Sequence, residues 1–280
     1  MNKNVHTFIG CESEYSDSKI VIFGAPFDST TSYRPGTRFA SAAIRSESFS
    51  IETYSPYIDK DLTEIKVFDG GDLELCFGNT QKALDGIEEY AHRILKDKKI
   101  PVMIGGEHLV TLGAVRAAVK ECPNLNIIHF DAHTDLREEY LGETLSHATV
   151  MRRCWELVGD KRIFQFGIRS GERHEFEFAK KHLYINKFDF SGLSEAIAII
   201  GDNPVYLSID LDVLDSSVLP GTGTPDAGGV TFKELMKAIT DLSALNIVSA
   251  DINELSPVYD RSGASTSLAC KLVRELLLQI

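Results

Sequence analysis

Residues 126–135 read NIIHFDAHTD, an apolar run followed directly by carboxylates and an imidazole. Hydrophobicity this continuous is typical of a strand that is covered on both faces of a sheet. The chain contains eight short runs of this kind, and most of them do not alternate apolar with polar residues. They lie at residues 20–23, 65–68, 102–104, 126–130, 163–166, 183–185, 205–209 and 247–249.

Longer stretches with apolar residues at three- and four-residue spacing lie between these runs, which predicts helices with one buried face. The clearest lie at residues 82–98, 109–121, 172–181, 232–242 and 264–278. Strands that alternate with helices predict a mostly parallel sheet with helices on both sides. No linker rich in Gly, Ser or Pro interrupts the sequence, so we expect one domain over residues 1–280.

Composition narrows the classes of partner. The formal net charge is −12, which argues against nucleic acid and against an anionic membrane surface. The five cysteines are widely spaced and include no CxxC pair, so we expect neither a disulfide framework nor a cysteine zinc site. We find no signal peptide and no apolar run long enough to span a membrane, and therefore expect a cytoplasmic protein.

Chemistry-bearing residues follow four of the predicted strands. The third is followed by GGEH (105–108), the fourth by DAHTD (131–135), the seventh by DLD (210–212) and the eighth by DINE (251–254). Carboxyl ends of parallel strands meet at one edge of a sheet, where sites usually form. A single Asp at a strand end is most often a helix cap or turn residue. Four such ends together favour a metal site.

The spacing gives a physical reason for this interpretation. Residues i, i+2 and i+4 of an extended segment point the same way. Asp131, His133 and Asp135 are therefore expected to form one row, and Asp210 and Asp212 a second row facing it. Carboxylates this close together would repel each other unless cations lay among them.

A sixth ligand is expected from His108, which follows a Gly-Gly turn. Two imidazoles and four carboxylates are too many for one tetrahedral zinc ion. Carboxylates shared between two ions would use the whole set, and a site without thiolates suits hard cations such as Mn²⁺. Two ions about 3.5–4 Å apart can activate one bridging water as a nucleophile.

These segments resemble the ureohydrolase family, which includes the arginases and agmatinases. Similar segments are GGEH (105–108), DAHTD (131–135), SIDLDVLD (208–215), GTPDAGG (223–229) and DINELSP (251–257). The stretch GAPFD (24–28), with Arg34, Gly36 and Arg45, resembles the opening of the family's sequences. The resemblance spans nearly the whole chain. It implies a three-layer α/β/α fold with an eight-stranded, mainly parallel sheet, and a centre of two Mn²⁺ ions per chain.

Carried over by position, the family's ligand set falls on residues present here. The first ion would bind His108, Asp131, Asp135 and Asp210, and the second Asp131, His133, Asp210 and Asp212, with Asp131 and Asp210 bridging the two. The resemblance also implies that a metal-bridging hydroxide attacks the guanidinium carbon. The family's remaining catalytic roles are matched by three residues, namely Glu254 to orient the guanidinium, Asp135 to contact the tetrahedral intermediate and His147 to shuttle a proton to the departing amine. We interpret the other five histidines as structural or surface residues: His6, His92, His129, His174 and His182.

Differences from the arginase sequences indicate which group the tail of the substrate carries. The loop after DAHTD is LREEYLGE (136–143), where arginases carry an Asn- and Thr/Ser-rich loop that contacts a carboxylate. Gly171 stands where arginases have an aspartate that contacts the α-amino group. Residues Glu138, Glu139 and Glu143 could bind a terminal ammonium group, as agmatine has. The resemblance is strongest to agmatinases, which implies hydrolysis of agmatine, a small cationic guanidine, to urea and putrescine.

Other substrates and roles stay open. A guanidino acid such as 4-guanidinobutyrate would need a cation near its carboxylate, and Arg137 or Arg169 could supply one. Hydrolysis of formiminoglutamate or arginine is a weaker alternative. A non-catalytic binding role is disfavoured, because binding alone would not require all six ligands together with Glu254 and His147. The resemblance also implies a homo-oligomer, either a trimer or a hexamer.

Overall fold

A computed structural model describes residues 6–280. Its centre is a sheet of eight strands, and every pairing within the sheet is parallel. The strands are β1 (Ile20–Gly24), β4 (Val67–Asp72), β5 (Ile100–Ile104), β6 (Asn126–Phe130), β7 (Ile163–Ile168), β8 (Tyr184–Lys187), β9 (Pro204–Asp210) and β10 (Asn246–Asn253). Two further short strands, β2 (Tyr54–Ser55) and β3 (Lys60–Asp61), form a separate antiparallel pair.

Within residues 6–280, eight α-helices surround the sheet in two layers. They are α1 (Ala40–Glu47), α2 (Thr80–Lys96), α3 (Thr111–Glu121), α4 (Val150–Val158), α5 (Arg173–His182), α6 (Leu193–Ile200), α7 (Phe232–Asp241) and α8 (Ala264–Leu277). Apolar residues of α1, α6, α7 and α8 belong to one core cluster, and those of α2, α3, α4 and α5 to a second. Ile128 and Phe130 face the first cluster, whereas Ile127 faces the second. This alternation explains why β6 is apolar on both faces.

The prediction of a three-layer α/β/α fold is confirmed. All eight predicted strand runs and five predicted helices correspond to elements of the structure, with boundaries that differ by a few residues. Helices α1, α4 and α6 were not predicted, and neither was the β2–β3 pair. These elements contain at most nine residues, which is too few for a clear periodic pattern.

The strand order explains how the predicted site residues meet. The sheet runs β4-β1-β5-β10-β9-β6-β7-β8, so the four strands that carry chemistry at their carboxyl ends are neighbours in its centre. Those strands are β5, β10, β9 and β6. Residues separated by more than 100 positions are thereby brought side by side. No helix within residues 6–280 is long and apolar enough to cross a bilayer.

Candidate metal centre and active site

A cleft with a volume of about 290 Å³ opens at the carboxyl ends of the central strands. Its size is that of a small-molecule site. Five predicted metal ligands line it, together with two predicted catalytic side chains: His108, His133, Asp135, Asp210, Asp212, His147 and Glu254. The sixth predicted ligand, Asp131, lies fully buried beneath it.

One cluster of ligand atoms surrounds the Nδ1 atom of His108. Carboxylate oxygens lie 3.0 Å away on Asp131, 3.1 Å away on Asp135 and 3.2 Å away on Asp210. Among residues 6–280, this buried nitrogen has no hydrogen-bond partner of acceptable geometry. Four potential ligand atoms therefore converge on one small volume without bonding to each other.

The opposite edge of the His108 ring explains which atom faces the cluster. Ser208 Oγ donates its proton to Oδ1 of Asp251 at 2.7 Å. Its lone pairs can therefore accept the Nε2–H of His108, and the Nε2 and Oγ atoms are 2.9 Å apart. Tyr206 also donates to Asp251. Nδ1 of the neutral imidazole then carries a lone pair that faces three carboxylates. Because only atoms with lone pairs meet there, this set of ligand atoms fits a divalent cation.

A second cluster shares Asp131 with the first. Nδ1 of His133 lies 3.0 Å from Oδ2 of Asp212 and 3.5 Å from Oδ1 of Asp131. Asp131 thus turns one oxygen towards His108 and the other towards His133. Asp210 directs Oδ2 to the first cluster, while its Oδ1 accepts the backbone N–H of Asp212 at 2.8 Å. Two clusters that share a carboxylate have the composition of a binuclear metal site.

The side chains of the two predicted rows converge as expected, but the backbone that carries them is not extended. β6 ends at Phe130, β9 ends at Asp210, and Asp212 lies in a one-turn 3₁₀ helix, Leu211–Val213. Asp135 has a left-handed backbone with φ of 53°. The side chains converge through turns because each strand ends at its first site carboxylate or one residue earlier.

Electrostatics favour cations in this volume. Burial, together with the neighbouring Asp131, raises the pKa of Asp135. Burial, together with Asp212 and Asp131, raises the pKa of Asp210 well above its ordinary value. Both shifts have the same cause, which is that several carboxylates lie close together out of water. Two divalent ions would offset that cost.

Buried polar groups hold the turn that carries Asp135. Oε1 of Glu175 accepts from the Thr134 hydroxyl at 2.7 Å and from the Leu136 N–H at 3.0 Å. The Gln165 amide donates to the Thr134 carbonyl at 2.7 Å. A left-handed backbone at a non-glycine residue is sparsely populated and is often found at functional sites. These contacts stabilise it on both sides of Asp135.

Glu254 has a left-handed backbone as well, with φ of 65°. Its N–H donates to the Gly106 carbonyl at 3.0 Å, and its Oε1 accepts the His108 N–H at 2.7 Å. Glycine is required at position 106, because a Cβ there would lie 1.9 Å from the Phe27 carbonyl oxygen. Burial, together with Asp212, raises the pKa of Glu254 well above its ordinary value. A cation beside this carboxylate would favour its charged form.

His147 lies at the rim of the cleft. Its Nδ1 is 2.9 Å from the Thr30 carbonyl oxygen, and its Nε2 is 3.3 Å from Ser32 Oγ. The ring of Tyr140 meets it edge-on, with centroids 5.7 Å apart. Burial lowers the pKa of His147. An imidazole in this position can exchange protons with a bound ligand.

The acidic loop was predicted to contact the substrate, but it does not reach the cleft. Side chains of Glu138, Glu139 and Glu143 are exposed, and none of them lines it. Glu138 pairs with Arg152 at 2.8 Å on the surface. Left-handed residues Leu141 and Gly142 turn the loop back at its tip, where Tyr140 and Glu143 exchange backbone hydrogen bonds.

Other charged side chains line the outer part of the cleft, among them Arg137, Glu172 and Glu175. Arg137 lies 3.1 Å from Glu172 and 3.7 Å from Glu175, and its guanidinium stacks on Tyr140. Arg169, the other cation considered for a substrate carboxylate, donates to backbone carbonyls of five residues and does not line the cleft. Arg169 therefore holds loops together.

The interpretation of His129 as merely structural missed its contact with the metal site. Nε2 of His129 lies 2.8 Å from Oδ2 of Asp131, and both residues are fully buried. The amide nitrogen of Gln165 faces the other ring nitrogen at 3.0 Å. Alternation along β6 was the available signal, because residue 129 points to the same side as residue 131.

Comparison with known proteins agrees with the geometry. The Arginase family profile matches residues 18–279. An agmatinase of Bacillus subtilis is 47% identical over 97% of this chain and 95% of its own length, and one of Bacillus cereus is 49% identical over the same shares. The solved agmatine ureohydrolase of Thermoplasma volcanium has a TM-score of 0.90 and 35% identity, covering 99% of this chain and 94% of that one. This chain therefore belongs to the arginase family of ureohydrolases.

Proposed function

We propose that this protein hydrolyses agmatine to urea and putrescine with two Mn²⁺ ions. The observation that carries the proposal is the pair of ligand clusters sharing Asp131, with Glu254 in the same cleft. Agmatinases at 47–49% identity over almost their whole length support the choice of substrate. The predicted ligands are His108, Asp131, His133, Asp135, Asp210 and Asp212. Carboxylate and imidazole ligands without thiolates support manganese.

Bound divalent ions would supply Lewis-acid activation of the water that attacks the guanidinium carbon. Glu254 binds and orients the guanidinium. Its Oε1 already accepts the His108 N–H, so Oε2 is the freer oxygen for a guanidinium N–H. The substrate's positive charge lowers the cost of keeping this buried carboxylate ionised. Asp135, also in the cleft, accepts hydrogen bonds from the amino groups of the carbon under attack.

His147 protonates the departing amine. An amine leaves readily from a tetrahedral carbon only after its nitrogen has gained a proton. The Nδ1 atom of His147 is engaged by the Thr30 carbonyl, so Nε2 exchanges the proton. The lowered pKa of His147 makes its imidazolium a stronger acid than a histidine in water.

The outer cleft favours a substrate without a carboxylate. Arg137 is paired with Glu172 and lies near Glu175, so its charge is largely neutralised. Arg169 is occupied by carbonyl groups. A guanidino acid would have to displace a glutamate to reach Arg137. The ammonium group of agmatine meets a surface with more carboxylates than free cations.

The remaining predictions rest on the sequence. They are one domain over residues 1–280, of which 1–5 lie outside the described residues, a cytoplasmic location and a homo-oligomer of three or six chains. Exposed apolar side chains support assembly, among them Tyr33 and Val258, at 66% and 52% exposure.

The function is tested by incubating the purified, Mn²⁺-loaded protein with agmatine and quantifying both products. Urea and putrescine should appear in equal amounts, and the metal-stripped protein should form neither. Absence of both products from protein that holds two Mn²⁺ ions per chain would contradict the proposal.

A further inference from the structure

Glu107, in the Gly-Gly-Glu-His segment, has no role in the preceding account. It is fully buried, and neither of the two ligand clusters includes it. Its Oε2 accepts the backbone N–H of Thr30 at 2.8 Å, and its Oε1 accepts the Thr30 hydroxyl at 2.5 Å. A buried carboxylate that accepts two hydrogen bonds from one residue fixes both the backbone and the side chain of that residue.

The backbone brings these two residues together independently of their side chains. The Glu107 N–H donates to the Phe27 carbonyl at 2.8 Å, and residue 106 lies against the same carbonyl. The loop after β1 is thus joined to the loop after β5, and Thr30 lies three residues beyond Phe27. Thr30 therefore has a defined position relative to the metal-binding end of β5.

Thr30 in turn makes two contacts with His147. Its hydroxyl oxygen accepts the backbone N–H of His147 at 3.1 Å, and its carbonyl oxygen lies 2.9 Å from Nδ1 of the ring. A carbonyl can only accept, so Nδ1 must carry the proton. In the neutral ring, Nε2 therefore carries the lone pair. Thr30 sets the position of this atom and also that of the His147 backbone.

We propose that Glu107 and Thr30 are positioning residues for proton transfer by His147. Glu107 fixes Thr30, and Thr30 fixes the place and the tautomer of the imidazole so that Nε2 faces the substrate. This inference rests on the shuttle role given to His147 in the proposed function. It assigns a role to a hydroxyl and a carboxylate that lie outside the metal ligand set.

The test uses a matched pair at position 30 in the Mn²⁺-loaded enzyme. Thr30→Val keeps the shape and the backbone groups but removes the hydroxyl, whereas Thr30→Ser keeps the hydroxyl. We expect Thr30→Val to lower kcat about 10- to 100-fold, because small displacements of a catalytic group are costly. KM and the bound metal should change by less than about twofold, since Thr30 binds neither substrate nor metal. Thr30→Ser should restore kcat to within about threefold of the wild type.

The same change in a His147→Asn background separates positioning from a general effect on the fold. If Thr30 acts through His147, then adding Thr30→Val to His147→Asn should lower kcat by less than about twofold more. An equal further loss in that background would overturn the inference, and so would wild-type kcat in Thr30→Val. Wild-type turnover by His147→Asn alone would instead refute the shuttle role in the proposed function.

The Glu107 step has its own pair. Glu107→Leu removes both acceptors, whereas Glu107→Gln keeps one acceptor for the Thr30 N–H. With bound metal unchanged, kcat should fall in the order wild type, Glu107→Gln, Glu107→Leu. Wild-type kcat in both variants would show that Glu107 does not position Thr30.

Discussion

The imidazole of His129 donates to Oδ2 of Asp131 across 2.8 Å, at the fully buried carboxyl end of β6. The direction of this hydrogen bond follows from Gln165. Its amide nitrogen must face the Thr134 carbonyl, and the same nitrogen lies 3.0 Å from Nδ1 of His129. Nδ1 therefore accepts, and Nε2 carries the proton towards the carboxylate shared by the two clusters. Such an outer partner orients a ligand before metal binds.

Replacing His129 should weaken metal binding. His129→Phe removes the donor to Asp131 while keeping a ring, and we expect Mn²⁺ affinity to fall about 10- to 100-fold. His129→Gln places an N–H near the former Nε2 and should recover much of that loss. Titration calorimetry of the metal-free variants measures the effect. Equal affinities for the wild type and both variants would remove His129 from the metal site.

Metal removal should destabilise the folded protein. Without cations, carboxylates at Asp131, Asp135 and Asp210 are buried close together. A ligand that binds only the folded state stabilises it by about 2.7 kcal/mol at 100 times its Kd. We expect the Tm to rise on adding Mn²⁺, and Asp210→Ala to lose both this rise and turnover. Retained activity in Asp210→Ala would contradict the binuclear account.

Replacing Glu254 should separate substrate binding from metal binding. Glu254→Gln keeps the size of the side chain but removes the charge that pairs with the guanidinium. Hydrogen bonds to charged groups contribute about 1.5–3 kcal/mol, so kcat/KM should fall on the order of 10- to 100-fold. Metal content, measured by atomic emission, should stay at two ions per chain. Unchanged kinetics would mean that Glu254 does not contact the substrate.

Charge at the mouth of the cleft should set preference for the substrate tail. Glu172→Gln removes one partner of Arg137 and exposes its positive charge. The KM for agmatine should then rise about two- to fivefold, the scale of a partly exposed ion pair. Glu139→Gln and Glu143→Gln are matched controls, because these side chains do not line the cleft, and they should leave KM unchanged. A rise in KM only in the controls would restore the predicted role of the acidic loop.

The fold was predictable because the alternation of strands and helices is a local pattern of the sequence. β6 was predicted over residues 126–130 and occupies Asn126–Phe130. The prediction succeeded because helices cover both faces of this strand, which makes its apolar run continuous. Carboxyl ends of parallel strands share an edge, and the strand order then brings His108 and Asp210 together at that edge. β4 was predicted too early, because its second half, Gly70 to Asp72, has no apolar side chain.

Features that depend on loop conformation could not be predicted. The acidic loop was assigned by charge, but the turn at Leu141 and Gly142 leads its glutamates away from the cleft. Thr30 and His147 are 117 residues apart, and no periodic pattern links them. The contact of His129 with Asp131 is an exception, because the alternation of side chains along β6 could have predicted it. The buried role of Glu175 required the position of α5.

The most direct measurement of the central claim is urea release by the Mn²⁺-loaded protein with agmatine, arginine and 4-guanidinobutyrate compared side by side. The account predicts a far higher kcat/KM for agmatine, because Arg137 is paired and Arg169 is occupied. Preference for 4-guanidinobutyrate or arginine would contradict it, and would mean that a cation in the cleft binds the substrate's carboxylate.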